Sequence, residues 1–397
     1  MLAAAALACR DGATPATTPS PAVAITAAPT AAATRAPVPA RPATAGDYAL
    51  AAAQYLSSDP EAVRDCMAPL YAAWQMPLLS AADGCRAANT DTDAANEIVA
   101  VFSAEEPSHV ARYEIAILKR GTSGYRVAYE TPVMHVPPPE GTPGPLKPLI
   151  FAGDLIGDGG GAVAWTSVEC GAHTCVTTAH AVRGTGATYE TVAPAEDIRM
   201  DSATSVSVAD APGGGKLIVL TGGTIRSVGA GPPRERTDTW AWDGSAFQLA
   251  SSVPAKPVFL YHAITDADAL FDASKFPEAE AAYVAAIGDA SLIVWTKDNE
   301  RDELTAWALF RAGVAEVLGG GDTAKAQGYL DRGNALTGTL NHQLAGSFSA
   351  AYAAKGSASI GCSAARDDVA ANLAEYEAFW DFGYGNPKFD AEKVCPF

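Results

Sequence analysis

The chain has 397 residues, with 45 aspartates and glutamates against 27 lysines and arginines and a formal net charge of -18 at pH 7. A surface this acidic repels phosphate backbones and anionic headgroups, which argues against nucleic acid as a partner and against direct docking to a lipid surface. Apolar residues make up 48% of the chain, enough for real cores, yet no run reaches the length of about 20 that would cross a bilayer.

Residues 1–8 read MLAAAALA and are followed by Cys9. A small apolar run closing on cysteine resembles the lipobox of bacterial lipoproteins, in which the cysteine is lipidated and becomes the mature N-terminus. Ala6 stands where that motif usually has leucine, Leu7 comes one place late, and no basic segment precedes the run. The run is short for a signal peptide, so a start codon upstream is expected. The resemblance implies that residues 1–9 are a signal-peptide remnant, that Cys9 carries the lipid, and that the protein is extracytoplasmic, anchored to the cell membrane or cell surface. Residues 10–46 are rich in Pro, Thr and Ala and have no hydrophobic period. Such a segment is predicted to be a disordered linker with polyproline-like stretches, a spacer on the order of 100 Å when extended.

The cysteine count is seven. With Cys9 set aside, six fall into local pairs, Cys66–Cys85, Cys170–Cys175 and Cys362–Cys395. An even set at short separations reads as disulfides in an oxidising compartment; the competing reading is buried free thiols in a cytosolic protein.

Residues 47–80 form a short helical segment. Apolar residues recur at helical spacing over 48–56 and 60–74, and Asp59-Pro60 looks like a helix start. Cys66 falls on the second of these helices and staples it to the loop at Cys85.

The period changes to two over residues 81–255, and three units share one plan. Each begins with an Asp/Gly loop that runs into a strand: Asp91 to Phe102, Asp154 to Trp165 and Asp210 to Leu220. Each then has a glycine turn beside an aromatic, at Gly124-Tyr125, Gly186 to Tyr189 and Gly244 to Phe247. The repeat length is about 55–65 residues. The Asp-x-x-Gly-Asp-Gly loop before a buried strand resembles the FG-GAP/VCBS-type repeats of bacterial surface proteins. That resemblance implies antiparallel four-stranded blades, arranged as a partial propeller or a packed β-sandwich. It also makes Asp154 and Asp158, with Asp91 and Asp93, calcium candidates. Ile156 and Ala162 occupy two positions where the family has oxygen ligands, and the third copy keeps only Asp210. Calcium takes six to eight oxygens, so the competing reading is a metal-free turn.

Residues 256–397 switch to the helical period. The order Ala267, Leu270, Phe276-Pro277, Ala279, Tyr283, Ala286 resembles a tetratricopeptide repeat, with Asp266 where a large apolar residue is usual. A looser copy has Gly313, a turn over 319–322, then Ala326 and Leu330. A third pair is expected over 344–354 and 369–380. The resemblance implies helical hairpins with a concave groove for a protein or peptide; the alternative is a scaffold packed on the β domain.

No His-Glu-x-x-His motif and no Gly-x-Ser-x-Gly elbow occurs. Gly213-Gly-Gly-Lys216 lacks phosphate-loop spacing and enters a strand. Cys170, His173, Cys175 and His180 offer two sulfurs and two imidazoles for zinc, or a hairpin disulfide beside two histidines. The expectation is therefore an α+β multidomain protein, a β-repeat domain followed by α-helical hairpin repeats. Its first functional reading is a non-catalytic cell-surface lipoprotein that binds or assembles proteins. The second is a secreted hydrolase using a carboxylate pair or the Cys/His zinc site.

Overall fold

A computed structural model describes residues 35–76, 84–105, 111–136, 147–171, 174–193 and 198–397, and residues from Pro37 to Phe397 form one compact unit. Cys9, His109 and His173 lie outside the described residues.

The packed chain begins earlier than composition predicts. The Trp74 indole donates to the Pro39 carbonyl at 2.9 Å, Arg41 donates to the Trp74 carbonyl at 3.0 Å, and the Arg41 guanidinium lies over Tyr48. A buried indole N–H needs an acceptor, and the end of the Pro-rich segment supplies one. Helix α1 (Tyr48–Ser58) follows as expected. The predicted helix over 60–74 is broken instead: a 3-10 turn at Pro60–Val63 is followed by α2 (Ala68–Trp74). Pro69 has no N–H and its ring would clash with the carbonyl four residues back, so it can only stand in a first turn. Cys66 and Met67, just before that turn, have φ of 49° and 59°. Cys66 thus lies in the connection, not on the helix.

Three antiparallel sheets come next. The first orders β1 (Cys85–Ala88), β2 (Glu97–Glu105), β3 (Ala111–Gly121) and β4 (Gly124–Glu130), with β5 (Met134–Val136) also on β3. The second orders β6 (Leu149–Gly153), β7 (Ala162–Cys170) and β8 (Cys175–Gly184), with β9 (Tyr189–Ala193) and β10 (Arg199–Asp201) both on β8. The third orders β11 (Ser205–Asp210), β12 (Lys216–Gly222), β13 (Arg236–Trp242) and β14 (Phe247–Pro254). Every Asp/Gly loop joins the first strand of its sheet to the second, and every glycine turn joins the third to the fourth.

These sheets stack in layers. On β2, Ile98, Ala100 and Phe102 pack under α1 and α2, while Val99 and Val101 face the second sheet and meet Val163 and Trp165. On β7, the alternate residues Ala162 and Ala164 face the third sheet and meet Ile218, Leu220 and Phe247. Burial on both faces explains why β2 and β7 read as near-continuous apolar runs. Among the described residues no sheet closes into a barrel.

The helical part runs α3 (Leu260–Asp272), α4 (Phe276–Gly288), α5 (Glu300–Leu318), α6 (Thr323–Asn334), α7 (His342–Lys355), α8 (Ala358–Ala371) and α9 (Leu373–Trp380), and consecutive helices from α3 to α8 pack on one another. Ala267, Ala279, Tyr283, Ala326 and Leu330 are all buried. Gly313 lies against Leu330, where a Cβ would stand 2.7 Å from Leu330 Cγ, so the small residue lets α5 and α6 cross closely. The Asp322 side chain caps α6 by accepting from the Ala324 amide at 2.7 Å. The third pair differs from expectation: its second helix is α8, which starts at Ala358, and Val369 lies near its end. Small residues dominate α8, so its apolar period is faint in the sequence. Asn372 ends it, turning its side-chain amide back to the Asp368 carbonyl at 3.0 Å.

All three expected disulfides form. They join the turn before α2 to β1, the two strands of the β7–β8 hairpin, and α8 to the C-terminal segment.

Candidate functional site

The Asp/Gly loops satisfy their own carboxylates. Asp154 accepts from the Gly157 and Gly159 amides at 2.7 and 3.1 Å, and Asp158 accepts from the Gly160 amide at 2.9 Å and from Arg183 at 3.0 Å. The glycines serve close approach between sheets. A Cβ on Gly161 would stand 2.3 Å from Thr90 Cα, and one on Gly157 would stand 2.7 Å from the Gly215 nitrogen. The loops of the three sheets therefore abut in series, the Gly161 amide donating to the Asp91 carbonyl and the Lys216 amide to the Leu155 carbonyl.

In the first loop Asp91, Asp93 and Glu97 bring three carboxylate oxygens within 4.8 Å of one another. The Lys119 ammonium from β3 sits among them, bonded to Asp91 and at 2.8 Å from Asp93 and 3.9 Å from Glu97. Glu97 Oε2 takes the Thr90 amide and hydroxyl, both at 2.9 Å. Three side-chain oxygens are half of what calcium takes, and a lysine already occupies the cation position between them. The Lys119 bond also holds the Asp93 carboxyl below its usual range.

At the zinc candidate, Cys170 and Cys175 are bonded to each other, so neither presents a thiolate. His180 stacks on Trp165 and shares a 2.7 Å hydrogen bond with Ser167. Burial lowers its pKa, so the ring is neutral at pH 7. A serine beside a neutral histidine is two-thirds of a hydrolytic constellation, but among the described residues no carboxylate orients the ring.

The helical part holds a charged network that the sequence reading passed over. Arg311, on α5, is 1% exposed. It donates to the Tyr283 hydroxyl and to Asp272, both at 3.1 Å, and to the Lys393 and Val394 carbonyls, and it lies over the Phe271 ring. Asp268 accepts from the Tyr283 hydroxyl and from the Trp307 indole. Burial raises the Asp268 carboxyl, and the Arg311 charge opposes that rise. Two signals stood in the sequence: Asp268 and Asp272 are one helical turn apart, and Arg311 interrupts an apolar run. Asp266, the departure from the repeat pattern, holds Arg234 with two bonds of 2.6 and 2.7 Å and so ties α3 to the chain before β13.

One open cleft of about 560 Å3 separates the 225–233 loop from the α4–α5 connection. Arg226, Val228 and Trp295 line its mouth and Phe382 its floor. Val228 is fully exposed, Trp295 is 38% exposed, and Tyr384, bonded to the Gly229 carbonyl, is 55% exposed. Lys297 closes the inner wall by donating to the last carbonyls of α9, and burial lowers its pKa.

No known family model, curated protein or solved structure matches this chain.

Proposed function

We propose that the protein is a non-catalytic, lipid-anchored module outside the cytoplasm that binds or assembles with another protein. The reading combines the lipobox-like Cys9, the FG-GAP/VCBS-like sheets and the tetratricopeptide-like helices as anchor, spacer-borne scaffold and docking platform. The observation that carries it is the cleft between the 225–233 loop and the α4–α5 connection. An exposed tryptophan, a fully exposed valine and an exposed arginine line it, and the exposed Tyr384 lies against the same loop, its amide bonded to the Gly229 carbonyl. Trp, Tyr and Arg dominate the energetics of protein interfaces, and contiguous exposed apolar surface on an acidic protein is costly to maintain without a partner. The catalytic alternative has less to stand on, since the two sulfurs of the zinc candidate are bonded to each other.

Site-specific photo-crosslinking in cells that make the protein tests the reading. A photoreactive residue at Val228 is expected to give a discrete higher-mass adduct, and the same residue at Leu50, exposed on α1, is expected to give none. Trp295→Ala should abolish the Val228 adduct. Absence of any adduct at Val228, or equal labelling at Leu50, would sink the proposal.

A further inference from the structure

The cleft between the 225–233 loop and the α4–α5 connection is charged differently from the molecule around it. The chain carries a formal net charge of -18, yet two cations line this cleft with no carboxylate bonded to either. Arg226 is exposed at the mouth and, among the described residues, has no ion pair or hydrogen bond. Lys297 donates to backbone carbonyls, that of Ala378 at 2.9 Å and that of Phe379, and its ammonium lies 4.7 Å from the centre of the Phe382 ring. The acids nearby are engaged elsewhere. Asp381, also in the lining, holds Lys388 and accepts from the Gly383 amide at 3.2 Å. Glu300 is buried and turns its carboxylate to the Trp295, Thr296 and Lys297 amides. A half-buried ammonium answered only by carbonyl dipoles and a ring is short of a counter-charge.

Apolar surface continues outward from the cleft. Ile293 and Val294 are exposed next to Trp295, and Val258, whose carbonyl accepts from the Ile293 amide at 3.0 Å, is exposed beside them. With Val228 they form a track longer than one side chain, and the cations stand at its inner end. The field of the whole molecule would draw in a basic partner, but such a partner would meet two like charges here. A purely apolar partner would strip water from Lys297 and give nothing back. A carboxylate answers both cations, and a large apolar side chain beside it covers Trp295 and Val228.

We infer that the partner docks through a peptide segment in which an acidic side chain stands beside a large apolar one, the carboxylate facing Arg226 and Lys297 and the apolar group lying on Trp295 and Val228. The inference rests on the reading of this cleft as a docking site and adds the chemistry of what docks.

Three unlabelled, acetylated and amidated peptides test it on the full chain by saturation-transfer NMR: GDFDLG, its lysine counterpart GKFKLG, and GDADAG, which keeps the acids and loses the apolar groups. GDFDLG is expected to bind saturably with a Kd of about 1 mM or tighter, and the other two are expected to bind at least tenfold more weakly. Arg226→Gln should weaken GDFDLG binding about fivefold, the loss of one exposed ion pair. Arg226→Lys should restore it and Arg226→Glu should abolish it. Arg226 is exposed, so these variants leave the core intact. In cells, Arg226→Glu should remove the Val228 photo-adduct and Arg226→Lys should retain it. No saturable binding of GDFDLG, equal binding of GKFKLG, or a Val228 adduct that persists in Arg226→Glu would overturn the inference while leaving the docking reading in place. Loss of the Val228 adduct from the unaltered Arg226 chain would instead remove the docking reading, and the inference with it.

Discussion

Glu114 is a carboxyl placed where charge is expensive. It lies on β3, 1% exposed, and burial pushes its pKa from 4.5 up to about 8, with the Glu130 and Asp47 carboxylates adding to the rise. The folded chain therefore binds a proton more tightly than the unfolded chain between those values. The site is least costly below pH 4.5, and stability declines as pH rises towards 8. Glu114→Gln should thus stabilise the protein above pH 8 by up to about 5 kcal/mol, at roughly 1.4 kcal/mol per unit of pKa, and should make no difference near pH 4. Denaturant titrations at the two pH values check this; equal stability at both would mean that the carboxyl is hydrated. Lys119 presents the opposite case. Asp91 and Asp93 were readable as an acidic loop, but the lysine that answers them lies 28 residues from Asp91 on another strand, and nothing local in the sequence points to it.

The Asp/Gly loops show how an element's composition can have two readings. Glycine and aspartate close tight turns in either case, but here the glycines also permit one sheet to touch the next. Gly159 has φ of 79° and open space around it, whereas Gly161 meets the backbone of Thr90. Gly159→Ala should cost about 1 kcal/mol from strain alone. Gly161→Ala should cost at least about 3 kcal/mol, because backbone cannot move aside. Thermal unfolding of the two variants decides it, and equal losses would argue against the close approach. Among the helices, Tyr283 fills the space between α3 and α5 and hydrogen-bonds Asp268 and Arg311. Tyr283→Ala should cost about 3–5 kcal/mol; a loss below about 1 kcal/mol would argue that the helices do not interlock there. The break before Pro69 was missed when 60–74 was read as one helix, although a proline inside a helical period is a stop signal whatever surrounds it.

For the whole molecule, α1 and α2 cover the open face of the first sheet, the sheets cover one another, and the third is tied to α3 through Arg234 and Asp266. The high negative charge disfavours close contact with anionic surfaces, and the lipid proposed at Cys9 can be tested directly. Replacing Cys9 by Ser, in a gene with a complete export signal, should move the protein from the membrane fraction to the soluble extracytoplasmic fraction. Retention of the Cys9→Ser variant in membranes would count against the anchor.

Features that depend on neighbours along the chain could be read before any fold was known. These include the strand and helix periods, the repeated loop and turn of each sheet, the three disulfide pairs, and the small and large residues of the α3–α4 hairpin. Each follows from local sterics, from a repeat of two or 3.6 residues, or from short cysteine separations. The stacking of sheets, the ammonium among three carboxylates, the buried Arg311 network and the cleft beside Trp295 come from residues far apart in sequence. Their partners are chosen by which faces meet when the layers close, and burial then decides which charges must be paired and which polar atoms are left over.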